Sequence, residues 1–292
     1  ISSNAHRPWW LLWLYTSSIL SVVLLYGWWA SGVGDASYGR LETIPFPEGG
    51  VTWLYIVPPI LLILLTKYGI PVSTTFLVLT IFSPSSLGSM LTKSMMGYAV
   101  AFVVAIIVYR FVIKGISVYF SKTRDHKVSH VWIGLQWVST AFLWSQWLIQ
   151  DLANIFVYVP RQVPLEFLIF AILVFIILLG MIFYQRGGAI QKIIDTKTGV
   201  ADIRSATIID FIYALILLVF KEWSNIPMST TWVFLGLLAG REFAMSMHLA
   251  EVNKYRTSRN VSKDAMKLMV GLIMSIVLAT TLPWFYNFIS NL

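Results

Sequence analysis

Apolar stretches of about 20 residues, the length a helix needs to cross the ~30 Å hydrocarbon core of a bilayer, limit what this chain can fold into. They run over residues 9–29, 95–113, 131–154, 165–184 and 268–289. A helix satisfies its backbone N–H and C=O groups internally, which lipid requires of anything that spans it. Charged residues make up 12% of the 292, against roughly 25% in a soluble domain, and mean hydropathy is +0.76. The expected fold class is an all-α polytopic membrane protein with about five full spans and the lipid bilayer as its surroundings. The chain has no cysteine, which excludes disulfides, iron–sulfur clusters and thiolate metal sites. A net charge of +8 does not point to nucleic acid, because cytoplasmic loops rich in Lys and Arg produce the same balance.

Those basic residues sit in three connections: Lys122, Arg124 and Lys127; Arg186, Lys192, Lys197 and Arg204; and Lys254, Arg256, Arg259, Lys263 and Lys267. The other connections are nearly bare, with Arg40, Lys93 and Arg161 one apiece. The positive-inside rule puts the three basic loops in the cytoplasm and the protein in the plasma (inner) membrane. That orientation holds only if the apolar segments 51–90 and 206–247 return to the side they came from. Each is interrupted near its middle by a proline and three hydroxyl residues, so each is expected to be a re-entrant hairpin.

The interruptions are Pro71-Val72-Ser73-Thr74-Thr75 and Pro227-Met228-Ser229-Thr230-Thr231, offset by 156 residues. The same offset lays 9–29 on 165–185 and 53–65 on 209–221. With opposite orientations from the charge argument, the halves 1–120 and 121–292 form the inverted repeat found in many secondary transporters. The span 131–154 has no counterpart in the first half, so a further span is expected before Ile1. The C-terminus then lies outside.

Ser and Thr beside a proline are ordinary helix-start residues, capping free N–H groups. In hairpins dipping from opposite faces, the same groups would expose two helix N-termini near the midplane, where N–H groups, hydroxyls and helix dipoles suit an oxyanion. Capping and binding are compatible. The second constellation is Gln150-Asp151-Leu152-Ala153-Asn154. Asp151 and Asn154, three apart, share a helical face and offer hard oxygen ligands for Na⁺ or a shared proton. The plainer alternative leaves Asp151 at the membrane interface near Arg161. His6, His126, His130 and His248 show no metal spacing, and no Ser–His–Asp order is visible, so no enzyme activity is expected. Gly236 and Gly240 form a GxxxG suited to close helix packing. Trp9, Trp10, Trp13, Trp28 and Trp29 read as aromatic belts or as a surface for a partner subunit. Asp35, Glu42 and Glu48 read as a solvated loop.

On these residues the chain resembles the inorganic phosphate transporter (PiT) family, whose halves each carry Asn-Asp-x-Ala-Asn and Pro-Val-Ser-Thr-Thr-His motifs. Gln150–Asn154 is similar to the first motif, and the two triplets are similar to the second. Thr281-Leu282-Pro283 is similar to the family's last helix. The resemblance implies an ion-coupled symporter of phosphate, or of sulfate, by alternating access. Substrate would bind Ser73, Thr74, Thr75, Ser229, Thr230, Thr231, Gln150 and Asn154. Coupling cations, Na⁺ or H⁺, would sit at Asp151, Asn154 and Asp210, with no cofactor beyond a possible bound Na⁺. For Asp210 a buried, hydrogen-bonded carboxyl is the alternative. Gln150 stands where the motif begins with Asn, and Phe76 and Trp232 stand where His follows the triplets. Those departures also fit a degenerate transporter serving as an accessory subunit, either as a homo-oligomer or among partner membrane chains.

Overall fold

The computed structural model describes residues 7–67, 72–113, 129–186, 203–246, 266, 269–278, 280–282 and 284. Most of the expected cytoplasmic basic residues (Lys122, Arg124, Lys127, Lys192, Lys197, Lys254, Arg256, Arg259, Lys263 and Lys267) lie outside them, as do His6, His126, His248, Pro71 and Pro283. No strand occurs among the described residues.

The first helix, α1 (Trp9–Ala30), leads into a loop over 31–52. A 3₁₀ turn, Trp53–Ile56, opens α2 (Val57–Lys67). Its Pro58 and Pro59 fall in the first turn, where a helix has no use for their missing N–H groups. After the first triplet come α3 (Thr74–Phe82), a 3₁₀ turn at Pro84–Ser86, and α4 (Leu87–Val108). Then follow α5 (His130–Asp151), the single turn α6 (Ala153–Phe156), and α7 (Leu165–Tyr184). The second triplet lies between α8 (Ile203–Trp223) and α9 (Thr230–Ser246), and a further apolar helix, α10, covers Met269–Leu282.

Among the described residues, four helical stretches are long and apolar enough to cross a membrane: Trp9–Ala30, Pro84–Phe111, Leu165–Tyr184 and Ile203–Trp223. On α7, Phe170, Ile177 and Met181 are all more than half exposed, a surface that suits lipid and not water. The expected span 131–154 folds as a helix of sufficient length, yet it is more polar than the four. Its Gln136, Ser139, Thr140, Gln146 and Gln150 are buried, so the polarity faces the protein. In 268–289 the described helix is shorter than a span. The 51–90 segment has arms of 11 and 9 residues, about 16 and 14 Å long. Its counterpart has arms of 21 and 17 residues, about 31 and 25 Å, and α8 alone is long enough to cross.

Packing follows small residues. A Cβ on Gly236 would lie 2.4 Å from the Tyr98 carbonyl oxygen, and one on Gly240 would lie 2.3 Å from that of Phe102. The GxxxG spacing therefore seats α9 directly on the backbone of α4, as the sequence led us to expect. Helix α5 is tied to α1 by Trp144 Nε1, which donates to the Thr16 carbonyl at 3.2 Å. Helix α1 is tied to α7 by Trp13 Nε1, which donates to Ile176 at 2.8 Å.

The 31–52 loop corrects an expectation. Glu42 and Glu48 are exposed, but Ala36, Ser37, Arg40, Leu41 and Ile44 are buried. The Asp35 carboxylate organises the inward turn by accepting from the Ser37 N–H at 2.7 Å, the Ser37 hydroxyl at 2.6 Å and the Gly39 N–H at 2.8 Å. Gly34, at φ +82°, packs so close to the Val163 carbonyl that a Cβ would sit 2.9 Å from it. Arg161 closes the other side, donating to the Ile44 carbonyl through Nη2 at 2.6 Å. The Asp35 carboxylate and the Arg161 guanidinium thus fold a polar connection into the protein.

Candidate functional site

Both triplets begin helices. The Ser73 hydroxyl accepts from the Phe76 N–H at 3.2 Å, and the Ser229 hydroxyl accepts from the Trp232 N–H at 3.3 Å. These are N-caps, each satisfying an N–H that a helix start leaves free. The two turns also meet, because Thr75 Oγ1 donates to the Met228 carbonyl at 3.3 Å. Immediately behind them the Phe76 and Trp232 rings pack edge to face at 5.5 Å. Residues 153 positions apart are thereby joined at the start of two helices.

Asp151 ends α5 and reaches the second turn. The Thr230 hydroxyl donates to its carboxylate, 3.3 Å from one oxygen and 3.1 Å from the other. Tyr213 on α8 backs the same turn, its hydroxyl donating to the Thr230 carbonyl at 2.9 Å while accepting from Trp147 Nε1 at 3.1 Å. The Ser229 N–H donates to Ser94 Oγ on α4 at 2.9 Å. Arg161, the alternative neighbour for Asp151, is engaged with the carbonyls of Ile44, Phe156 and Val159. Asn154 is buried one turn beyond Asp151, and neither its side-chain oxygen nor its nitrogen has a hydrogen-bond partner. Gln150 is buried too: Nε2 donates to the Leu217 carbonyl at 3.2 Å, and Oε1 is unpartnered.

Two cations complete the cluster. Arg40 is wholly buried and donates through Nη1 to the Ser224 carbonyl at 3.1 Å; its Nε and Nη2 make no hydrogen bond. Lys93, on α4, donates to the same Ser224 oxygen at 2.5 Å and to the Ile226 carbonyl at 2.7 Å. No carboxylate lies within ion-pairing distance of either among the described residues. Burial pushes the Arg40 guanidinium down to about 10, with Asp151 acting in the opposite direction, so it remains charged at neutral pH. Sequence reasoning passed over both residues as stray charges in bare connections. The available signal was Lys93 inside an apolar stretch long enough to span the membrane.

Asp210 is not brought to this cluster. It accepts from Gln136 Nε2 and from Thr140 Oγ1, each at 2.9 Å, and Thr207 Oγ1 donates to Gln136 Oε1 at 2.6 Å. Those partners lie at least eleven residues before Asp151 on α5, about 16 Å along its axis. It is a partly buried, hydrogen-bonded carboxyl. Thr74 and Thr231 are partly buried, at the first turns of α3 and α9. Among the described residues no group of three His, Asp or Glu side chains is placed to hold a metal ion.

The arrangement joins two capped helix starts, one carboxylate on a hydroxyl, and a wholly buried guanidinium with free donors. No protein-family model, no curated protein and no solved structure matches the chain.

Proposed function

We propose that the protein is an ion-coupled secondary transporter of an inorganic tetrahedral oxyanion, with phosphate the first candidate and sulfate the second. The observation that carries this reading is the meeting of the two triplet turns, Thr75 on the Met228 carbonyl, with Asp151 held on Thr230. Helix starts with capping hydroxyls favour anions, and a carboxylate beside them favours a coupling cation or proton. Separation of the two turns would free both caps for substrate, and the half-length arms α2 and α3 suit a re-entrant element that moves against the other half. The basic loops would face the cytoplasm, and the halves 1–120 and 121–292 would be the inverted repeats.

The test is uptake of labelled phosphate and sulfate into proteoliposomes under an imposed Na⁺ or H⁺ gradient, beside Asp151→Asn. Gradient-driven uptake that falls at least about tenfold in the variant supports the reading, since such a loss equals the 1.4 kcal/mol expected of one charge-assisted contact. Folded protein that moves neither anion refutes it.

One observation favours a second reading, a transporter-like accessory subunit. Phe76 and Trp232 fill the space behind both caps and are almost wholly buried. Tight co-purification with other membrane chains, without anion uptake, would support that alternative.

A further inference from the structure

Outside the motifs, the least explained groups among the described residues are Arg40 and Lys93. Their basic groups converge on a single carbonyl, that of Ser224, in the connection between α8 and α9. Two cations sharing one neutral oxygen repel each other, and a buried charge without a counter-ion is costly. Arg40 has no exposed surface and two nitrogens without partners, while Asn154 holds an unpartnered amide in the same region, one turn past Asp151. The only described carboxylate acting on the guanidinium is Asp151, already hydrogen-bonded to Thr230. Among the described residues, protein groups therefore leave this cluster with an excess of basic groups and of hydrogen-bond donors.

We propose that Arg40 and Lys93 form the cationic half of the oxyanion site. The free Nε and Nη2 of Arg40 and the Lys93 ammonium would grip a doubly charged tetrahedral anion against the second triplet turn. Guanidinium forks match the spacing of oxyanion oxygens, and charge-assisted bonds of this kind are short and strong. This inference rests on the transport reading above and changes its electrostatics. With helix ends alone, roughly half a charge each, a dianion beside Asp151 needs co-bound cations. With Arg40 and Lys93 resident, two cations face one carboxylate, and the helix ends supply the remainder. Sodium then has no charge to neutralise at this site, so anion binding here does not require it.

The experiment needs no variant in its first arm. Equilibrium binding of labelled phosphate and of labelled sulfate to the full chain in nanodiscs is measured in NaCl and in choline chloride at equal ionic strength. The expected affinities agree within about twofold between the two salts. Binding that weakens more than about tenfold in choline overturns the inference while leaving the oxyanion site standing. Absence of binding in both salts overturns the transport reading and this inference together.

The second arm compares Arg40→Gln and Lys93→Met with the charge-retaining Arg40→Lys, each checked for native size and melting temperature. Each charge-removing variant is expected to lose at least about tenfold in affinity, and Arg40→Lys to lose less than Arg40→Gln. A folded Arg40→Gln or Lys93→Met that binds as the wild type does overturns the assignment. Should Arg40→Gln fail to fold, the sodium dependence of the unaltered protein still decides.

Discussion

The two Pro-x-Ser-Thr-Thr turns have nearly the same sequence and the same cap geometry, yet they sit in different chemistry. The first joins arms of 11 and 9 residues and has a single long-range contact from its hydroxyls, Thr75 to Met228. The second joins arms of 21 and 17 residues and gathers partners from α4, α5 and α8 through Ser94, Asp151 and Tyr213, with Lys93 on the connection just before it. Local sequence decides that a helix starts; distant elements decide what the start can hold. A motif repeated in two halves therefore need not contribute equally to one site.

The sharpest difference lies in how the two downstream helices are held. Helix α9 is clamped on α4 through Gly236 and Gly240, whereas α3 contains no glycine. Gly236→Ala would drive a methyl against the Tyr98 carbonyl, and the backbones would have to part. A loss of about 3 kcal/mol is expected, visible as a lower melting temperature in detergent. Gly88→Ala, with nothing within 4 Å of the added methyl, is the control and should stabilise slightly through helix propensity. Equal melting temperatures for the two variants would mean that α9 is held no more tightly than an ordinary helix.

Next in size is the threonine that the 156-residue offset makes equivalent in the two turns. Thr230 donates to Asp151, while the hydroxyl of its counterpart Thr74 has no hydrogen-bond partner among the described residues. Thr230→Val should cost about 2 kcal/mol, because a partly buried carboxylate loses a charge-assisted partner. Thr74→Val should stay within about 0.5 kcal/mol of the parent. A matching loss at both positions, measured by thermal unfolding, would show that the turns are equivalent after all.

What was legible in the sequence follows the same division. The apolar helices 9–29 and 165–184, the caps at Ser73 and Ser229, and the glycine seam of α9 depend on local composition and spacing, and they could be read directly. Arg40 could not. Its burial depends on the Asp35 turn, on Gly34 against Val163 and on Arg161 reaching Ile44, contacts that no local pattern encodes. The family resemblance placed Asp210 with Asp151 among the coupling-cation residues. Its own partners, Gln136 and Thr140, are reached only when α8 packs on the polar face of α5. The same face lowers the hydropathy of α5 and takes it out of the set of plainly apolar spans.

The smallest effect is the one in which the two turns should agree. Ser73→Ala and Ser229→Ala each remove one acceptor from one helix-start N–H, that of Phe76 or Trp232, at nearly equal distances of 3.2 and 3.3 Å. Loss of a serine N-cap costs about 1 kcal/mol, so the two variants should melt within about 0.5 kcal/mol of each other. The Ser229 N–H keeps Ser94 Oγ in the alanine variant, since that bond uses the backbone and survives the change. A much larger loss at position 229 would mean that its hydroxyl also supports the neighbouring Thr230–Asp151 contact. A double-mutant cycle with Thr230→Val would then give a coupling above about 0.5 kcal/mol, whereas two independent groups would simply add. Additivity at 229, together with equal losses at 73, would confine the asymmetry between the turns to the side chains that other helices bring to them.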